Sequence, residues 1–144
     1  MRNPDESAAP TSGAELMRQL LPTSPYVGHL GMRLVDMQPG SATLTLPFDE
    51  RLITIGSTVH GGAIASLIDT VAMVAAWSDV EISGTPRGST VGMTVSYLAP
   101  ANGEEVTATA RVLRRGRSLV YLDVDVQAAS GALVAKGLVT YKIG

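Results

Sequence analysis

Residues Ala63 to Trp77 read as a helix with almost no polar face, carrying a single carboxylate, Asp69, near its middle. A helix without a polar side must be wrapped by the rest of its protein. That requirement narrows the possible folds more than any other feature of the chain. It also singles out Asp69, because an acid in such surroundings is costly to bury without a partner. Asp69 is therefore either tied down for structure or kept for chemistry. The run is interrupted by Ser66, Asp69 and Thr70, and a membrane span needs about 20 apolar residues. The expectation is a buried helix that starts near Gly61 and ends near Trp77.

The chain has 144 residues, enough for one domain with a real core. Hydrophobic residues make up 45% and charged residues 17%, a balance that argues against disorder. Met1 to Gly13 differs: it holds Pro4, Pro10, Ser7, Ser12 and several charges, and is expected to be a flexible tail. It lacks the apolar stretch of a signal peptide. Residues 14–144 are expected to form a single domain, with no repeat or linker. The net charge is −2 without a long run of one sign, which gives no reason to expect nucleic acid as a partner. With no cysteine, neither a disulfide nor a thiol nucleophile is available, in keeping with a cytoplasmic location.

Leu16, Met17, Leu20 and Leu21 fall at helical spacing before Pro22 and predict a short helix over Ala14 to Leu21. Gln38-Pro39-Gly40-Ser41 predicts a hairpin within Met32 to Phe48. After the long helix, Ser78 to Gly88 reads as a loop, and Ser89 to Leu98 as a strand closed by Pro100. Apolar and polar residues then alternate through Val106 to Val112 and Leu119 to Gln127, followed by a last strand from Leu133 to Ile143. The sum is an α+β protein. Five or six antiparallel strands in consecutive hairpins are expected to curl around the one long helix.

His60-Gly61-Gly62, six residues and then Asp69 resembles the signature of hotdog-fold acyl-CoA thioesterases of the phenylacetic-acid-pathway (PaaI-like) type. Three further segments are similar to landmarks of that family. They are Thr94 to Ala101, ending in a Pro-Ala turn; the basic hairpin Leu113 to Leu119; and the last-strand segment Gly131 to Gly137. The resemblance spans Leu30 to Tyr141. It implies paired hotdog subunits with sites at their interface, often as dimers of dimers. Two positions depart from the family pattern. Thr54 stands six residues before His60, where Asn or Gln is usual, and Thr90 stands where Ser is frequent. Thr54 has no amide N–H to donate.

Thioester hydrolysis needs a donor for the carbonyl oxygen and an activated attacking group. Backbone N–H groups in the first turn of a helix lack intrahelical partners and carry partial positive charge. Gly61 and Gly62 sit at such a turn without Cβ atoms to block a ligand, which makes them candidate oxyanion donors. The competing reading is a glycine pair that merely allows tight packing. Asp69 is the candidate general base or nucleophile, and Thr90 its supporting donor or the holder of the attacking water. A structural acid and an ordinary strand threonine are the alternatives. His60 either orients the carbonyl or braces the loop carrying Gly61. His29 has no visible partner and reads as structural. Arg114, Arg115 and Arg117 are candidates for the coenzyme A phosphates, against a solvated hairpin tip. Met73, Trp77, Met93 and Tyr97 either line an acyl pocket or fill the core.

Gly61 and Asp69 lie eight residues apart, or about 12 Å along a helix, too far to meet one carbonyl. Two such helices packed antiparallel across a two-fold axis would set Gly61 of one against Asp69 of the other, giving two sites per dimer. The expected activity is hydrolysis of an aryl or short- to medium-chain acyl-CoA to free acid and coenzyme A. No metal or other cofactor is implied, coenzyme A being part of the substrate. The rival is a non-catalytic acyl-CoA-binding or sensing module on the same fold, with a purely structural oligomer behind it. A nucleophile elbow at Gly88 to Gly92 is excluded, because a strand follows it and no histidine lies beyond His60. Two histidines without cysteine give no zinc-spaced cluster, and the glycines between Gly56 and Gly62 lack the lysine of a phosphate loop.

Overall fold

A computed structural model describes residues 8–144, and the first seven residues of the expected tail lie outside the described residues. The last three residues of that segment are tied to the rest of the chain. Thr11 accepts a hydrogen bond from Ile82, and the Gly13 amide donates to Val80 at 2.7 Å. Ser12 then caps helix α1 (Gly13–Leu20), accepting from the Glu15 amide. Pro22 ends the helix, and a 3-10 turn leads into a second short helix, α2 (Pro25–Leu30), which the apolar spacing did not announce. Its signals are end signals: Pro25 in the first turn and Gly31 beyond the last, at φ +75°.

Strands β1 (Arg33–Gln38) and β2 (Ser41–Leu46) form the expected hairpin. A two-stranded ribbon follows, β3 (Ile53–Ile55) with β4 (Thr58–Val59), and leads into the long helix α3 (Gly61–Trp77). Four long strands complete the chain: β5 (Gly88–Tyr97), β6 (Val106–Arg115), β7 (Leu119–Ala128) and β8 (Leu133–Ile143). One antiparallel sheet holds six of these strands in the order β1-β2-β6-β7-β8-β5.

That order corrects the expectation of consecutive hairpins. β6, β7 and β8 do follow one another, but β5 pairs with β8 at the far edge and β6 returns to lie beside β2. The cause is α3. The chain leaves β2, crosses the concave face as a helix, and re-enters the sheet on the opposite edge.

Helix and sheet approach closely because the facing residues are small. Ala42, Ala108, Ala110 and Ala135 on the sheet and Ala72, Ala75 and Ala76 on α3 are all buried, with Leu67, Ile68, Val71 and Val74 between them. At Gly137 the fit leaves no room: a Cβ there would lie 2.7 Å from Ile68 Cγ2.

The wrapping is incomplete. Gly62 is exposed, and Ala65, Ser66, Asp69, Thr70 and Met73 are only half-buried. These positions recur every three or four residues and form one stripe along α3. Beside the stripe runs β5, ten residues of which only Thr90 and Val95 are even partly covered. Gly137→Ala should therefore shift either Ile68 or the strand and cost about 1–3 kcal/mol. A urea titration would show it as a lowered midpoint.

Candidate active site

Asp69 lies on the open stripe of α3, two turns in from the helix start. Its Oδ1 accepts a 2.6 Å hydrogen bond from the Thr90 hydroxyl on β5. Among the described residues Asp69 makes no ion pair, and its Oδ2 has no hydrogen-bond partner. A structural acid would have its oxygens consumed. This one is held by one oxygen and keeps the other free on a half-covered face. Beneath the pair, Tyr141 is buried, and its hydroxyl accepts from Trp77 Nε1 at 3.0 Å. Burial pushes the Tyr141 hydroxyl above its ordinary pKa, the Trp77 hydrogen bond lowers it, and the Asp69 charge raises it further. The floor under Asp69 is therefore neutral.

At the helix start the chain presents its other candidate groups. His60 is the N-cap: its Nδ1 accepts from the Gly62 amide at 2.8 Å, and its own amide donates to Leu52. A neutral imidazole that accepts at Nδ1 carries its hydrogen on Nε2. The His60 carbonyl accepts from Ala63 and Ile64. The Gly62 amide is thus used, whereas the Gly61 amide has no partner among the described residues. Of the two glycines, Gly61 carries the free donor. Next to it, the Tyr97 hydroxyl donates to the Gly61 carbonyl at 2.8 Å.

Two cavities flank this helix end. One, of about 370 Å3, is lined by Thr54, Thr58, Gly61, Ile64, Tyr97 and Ala101. The other, of about 400 Å3, lies against α2 and is lined by Tyr26, His29, Arg51, His60, Gly62 and Ala63. Thr54 on β3 is exposed and shares the first cavity with Gly61. Tyr26 reaches across to Ser66 on the open stripe, with 2.8 Å between their hydroxyls. Nothing in the sequence spacing pointed to that bond, nor to His29 as a cavity residue. Met73 lies on the stripe one turn beyond Asp69. Met93 and Tyr97 are exposed, while Trp77 is sealed in the core and lines neither of these cavities.

The basic hairpin divides. Arg115 donates to the Ala76 carbonyl at the end of α3 and pairs with Asp79, so it would have to leave both to reach a phosphate. Arg114 and Arg117 are exposed and make no ion pair among the described residues.

A single antiparallel sheet curled around one long helix is the hotdog fold. The chain belongs to the thioesterase superfamily, whose family model it matches over residues 56–135, and it is a thioester hydrolase. It is 34% identical to human acyl-coenzyme A thioesterase 13 over 113 residues, covering 77% of this chain and 79% of the relative. The crystal structure of a thioesterase family protein from Silicibacter pomeroyi superposes with a TM-score of 0.83 at 26% identity, over 92% of this chain and 98% of that one. The Escherichia coli PaaI protein from the phenylacetic acid degradation operon shares the fold, with a TM-score of 0.77 at 21% identity over 90% and 92% of the two chains. Among the described residues, no helix is long and apolar enough to cross a membrane.

The Thr90 hydroxyl separates the readings of this site. A hydrogen bond to a charged group is worth about 1.5–3 kcal/mol, so Thr90→Val should lower turnover about 10- to 100-fold. Thr90→Ser keeps the oxygen and should retain most of the activity. Steady-state release of thiol from an acyl-CoA would compare them.

Proposed function

We propose that the chain is an acyl-CoA thioesterase whose active site is completed by a second copy of itself. The reading rests on one observation: β5 carries a marker for each half of the site at its opposite ends. Thr90, near its start, bonds Asp69, and Tyr97, at its finish, bonds Gly61. β5 is also the edge of the sheet, ten residues without a charge or a proline, with Val91, Met93 and Tyr97 exposed. Such an edge is a template for pairing with another chain. If it pairs with its own copy about a two-fold axis through the strand's middle, Thr90 of one protomer comes toward Tyr97 of the other. Asp69 of one then approaches Gly61 of its partner, and the uncovered stripes of the two α3 helices close on each other. The same symmetry makes two sites.

In that site the thioester oxygen accepts from the Gly61 amide, at a helix end whose dipole favours the developing negative charge. The Asp69 carboxylate of the other protomer acts from the opposite side, as base toward water or as the nucleophile itself. Thr90 holds its Oδ1 and leaves Oδ2 for the reaction. The hydroxyl of water ends on the acyl carbon, directly or by opening the mixed anhydride that a nucleophilic Asp69 forms; the C–S bond breaks, the thiolate takes up the proton of that water, and the products are the acid and the coenzyme A thiol. His60 caps the same helix end through Nδ1 and lines the cavity on the α2 side, and Thr54 lines the other cavity beside Gly61. Arg114 and Arg117 are the free cations for the coenzyme A phosphates. The relative's name, acyl-coenzyme A thioesterase 13, supports the substrate class. The two cavities, each near 400 Å3, suit an aryl or a short- to medium-chain acyl group. No metal or redox group is called for by this chemistry, and the acting species is a homo-oligomer, a dimer or a dimer of dimers.

Asp69→Asn and Gly61→Pro test the shared site together. Proline is accepted at the first helical position and removes the N–H there, at the cost of a Cβ that presses on the Tyr97 ring at 3.2 Å. Each variant alone should lose turnover. Unfolded together and refolded as an equal mixture, they should regain about one quarter of wild-type activity, because half of the dimers then hold one intact site. A site lying wholly within one protomer would show no recovery on mixing.

A further inference from the structure

We propose that Tyr97 is a positioning residue that sets the direction of the Gly61 amide. The inference rests on reading that amide as the donor to the thioester oxygen.

Two successive glycines are a poor place for a fixed donor, because glycine has the widest backbone freedom of any residue. Each peptide unit is planar, so the aim of the Gly61 N–H depends on two soft dihedrals at the Gly61 Cα. The chain removes that freedom from both sides. On one side, the His60 carbonyl accepts from Ala63 and Ile64, which ties the 60–61 peptide plane into the helix and leaves its N–H pointing out of the helix end. On the other side, the 61–62 plane is gripped at both of its polar atoms. The Gly62 N–H donates to His60 Nδ1, and the Gly61 carbonyl accepts from the Tyr97 hydroxyl, each at 2.8 Å. The Tyr97 ring lies against the Gly61 Cα as well: a Cβ at Gly61 would sit 3.2 Å from Tyr97 Cε1.

The Tyr97 bond is not needed to satisfy a buried group. A first-turn helix carbonyl already has the amide four residues on as its partner. Nor is Tyr97 a core residue, since 53% of it is exposed. What the hydroxyl adds is orientation. Without it, the 61–62 plane keeps only the His60 bond and the helix's own bond along the axis, neither of which fixes its sideways tilt, and the free N–H one glycine Cα away follows that tilt. Removing a whole oxyanion donor costs about a hundred- to a thousandfold in kcat, and loosening one that remains should cost about tenfold. The loss should fall on kcat, because the donor strengthens its bond only as charge develops on the oxygen.

Tyr97→Phe keeps the ring and deletes the hydroxyl. Phenylacetyl-CoA and hexanoyl-CoA are suitable probes, with Asp69→Asn measured in parallel. The expected result is a kcat about tenfold lower, with KM within about twofold and with melting temperature and oligomeric state unchanged. Infrared spectra of a bound ketone analogue, with CH2 in place of the thioester sulfur, should show a smaller red shift of the carbonyl band than in the wild type. An unchanged kcat and carbonyl band would overturn the inference, as would a kcat loss that comes with dissociation or a lowered melting temperature. If Asp69→Asn turns over normally, the site reading itself fails, and that outcome is separable from any result at Tyr97.

Discussion

The close approach of α3 to the sheet is the constraint from which the other features follow. It is possible only because alanines and one glycine line the contact: Ala42, Ala108, Ala110, Ala135 and Gly137 on the strands, Ala72, Ala75 and Ala76 on the helix. Protein interiors are packed to the density of organic crystals, so such a seam fixes the helix in depth and rotation. Its rotation decides which residues stay uncovered. The stripe from Gly62 through Asp69 to Met73 is the part of α3 that the protomer's own sheet leaves partly uncovered. Packing thus presents the acid and the helix end on the one side that remains open.

The two ends of that stripe are fixed by different means. The acid is held by one strand hydroxyl, Thr90, and stands over a floor of Trp77 and Tyr141 that carries no charge. The helix end is held by a web of backbone contacts around His60, so that one amide is spent and its neighbour is left over. The carboxylate and the free amide stand about two turns apart on one helix. Here the spacing along α3 separates them, and β5 links each to an edge that another chain can complete.

Much of this could be read in the letters of the chain. The bounds of α3 follow from the change between a glycine pair and a mostly apolar run, and β6 and β7 from simple alternation. The need of a half-buried acid for a donor, together with the family resemblance at Thr90, left that residue as a donor to Asp69 or a holder of water, and the hydrogen bond between them is the first of these. Other features left no local trace. α2 is six residues long and carries its signal only at its ends. Arg115 looked like its two neighbours but is drawn to the C-terminal carbonyls of α3, a contact across 39 positions of sequence. The strand order was missed because a crossing helix, unlike a tight turn, does not say which edge the chain will rejoin.

Tyr97 and Thr90 stand seven positions apart, an odd number, and in a regular strand they would point to opposite faces. They share a face because the register slips between Thr90 and Gly92, where Val91 is the extra residue. The strand therefore keeps count as well as composition. Its letters can be exchanged one for another with local effect. A single added or lost codon within it would turn every residue downstream inside out, and the hydroxyl at one end and the phenol at the other would no longer serve the same helix.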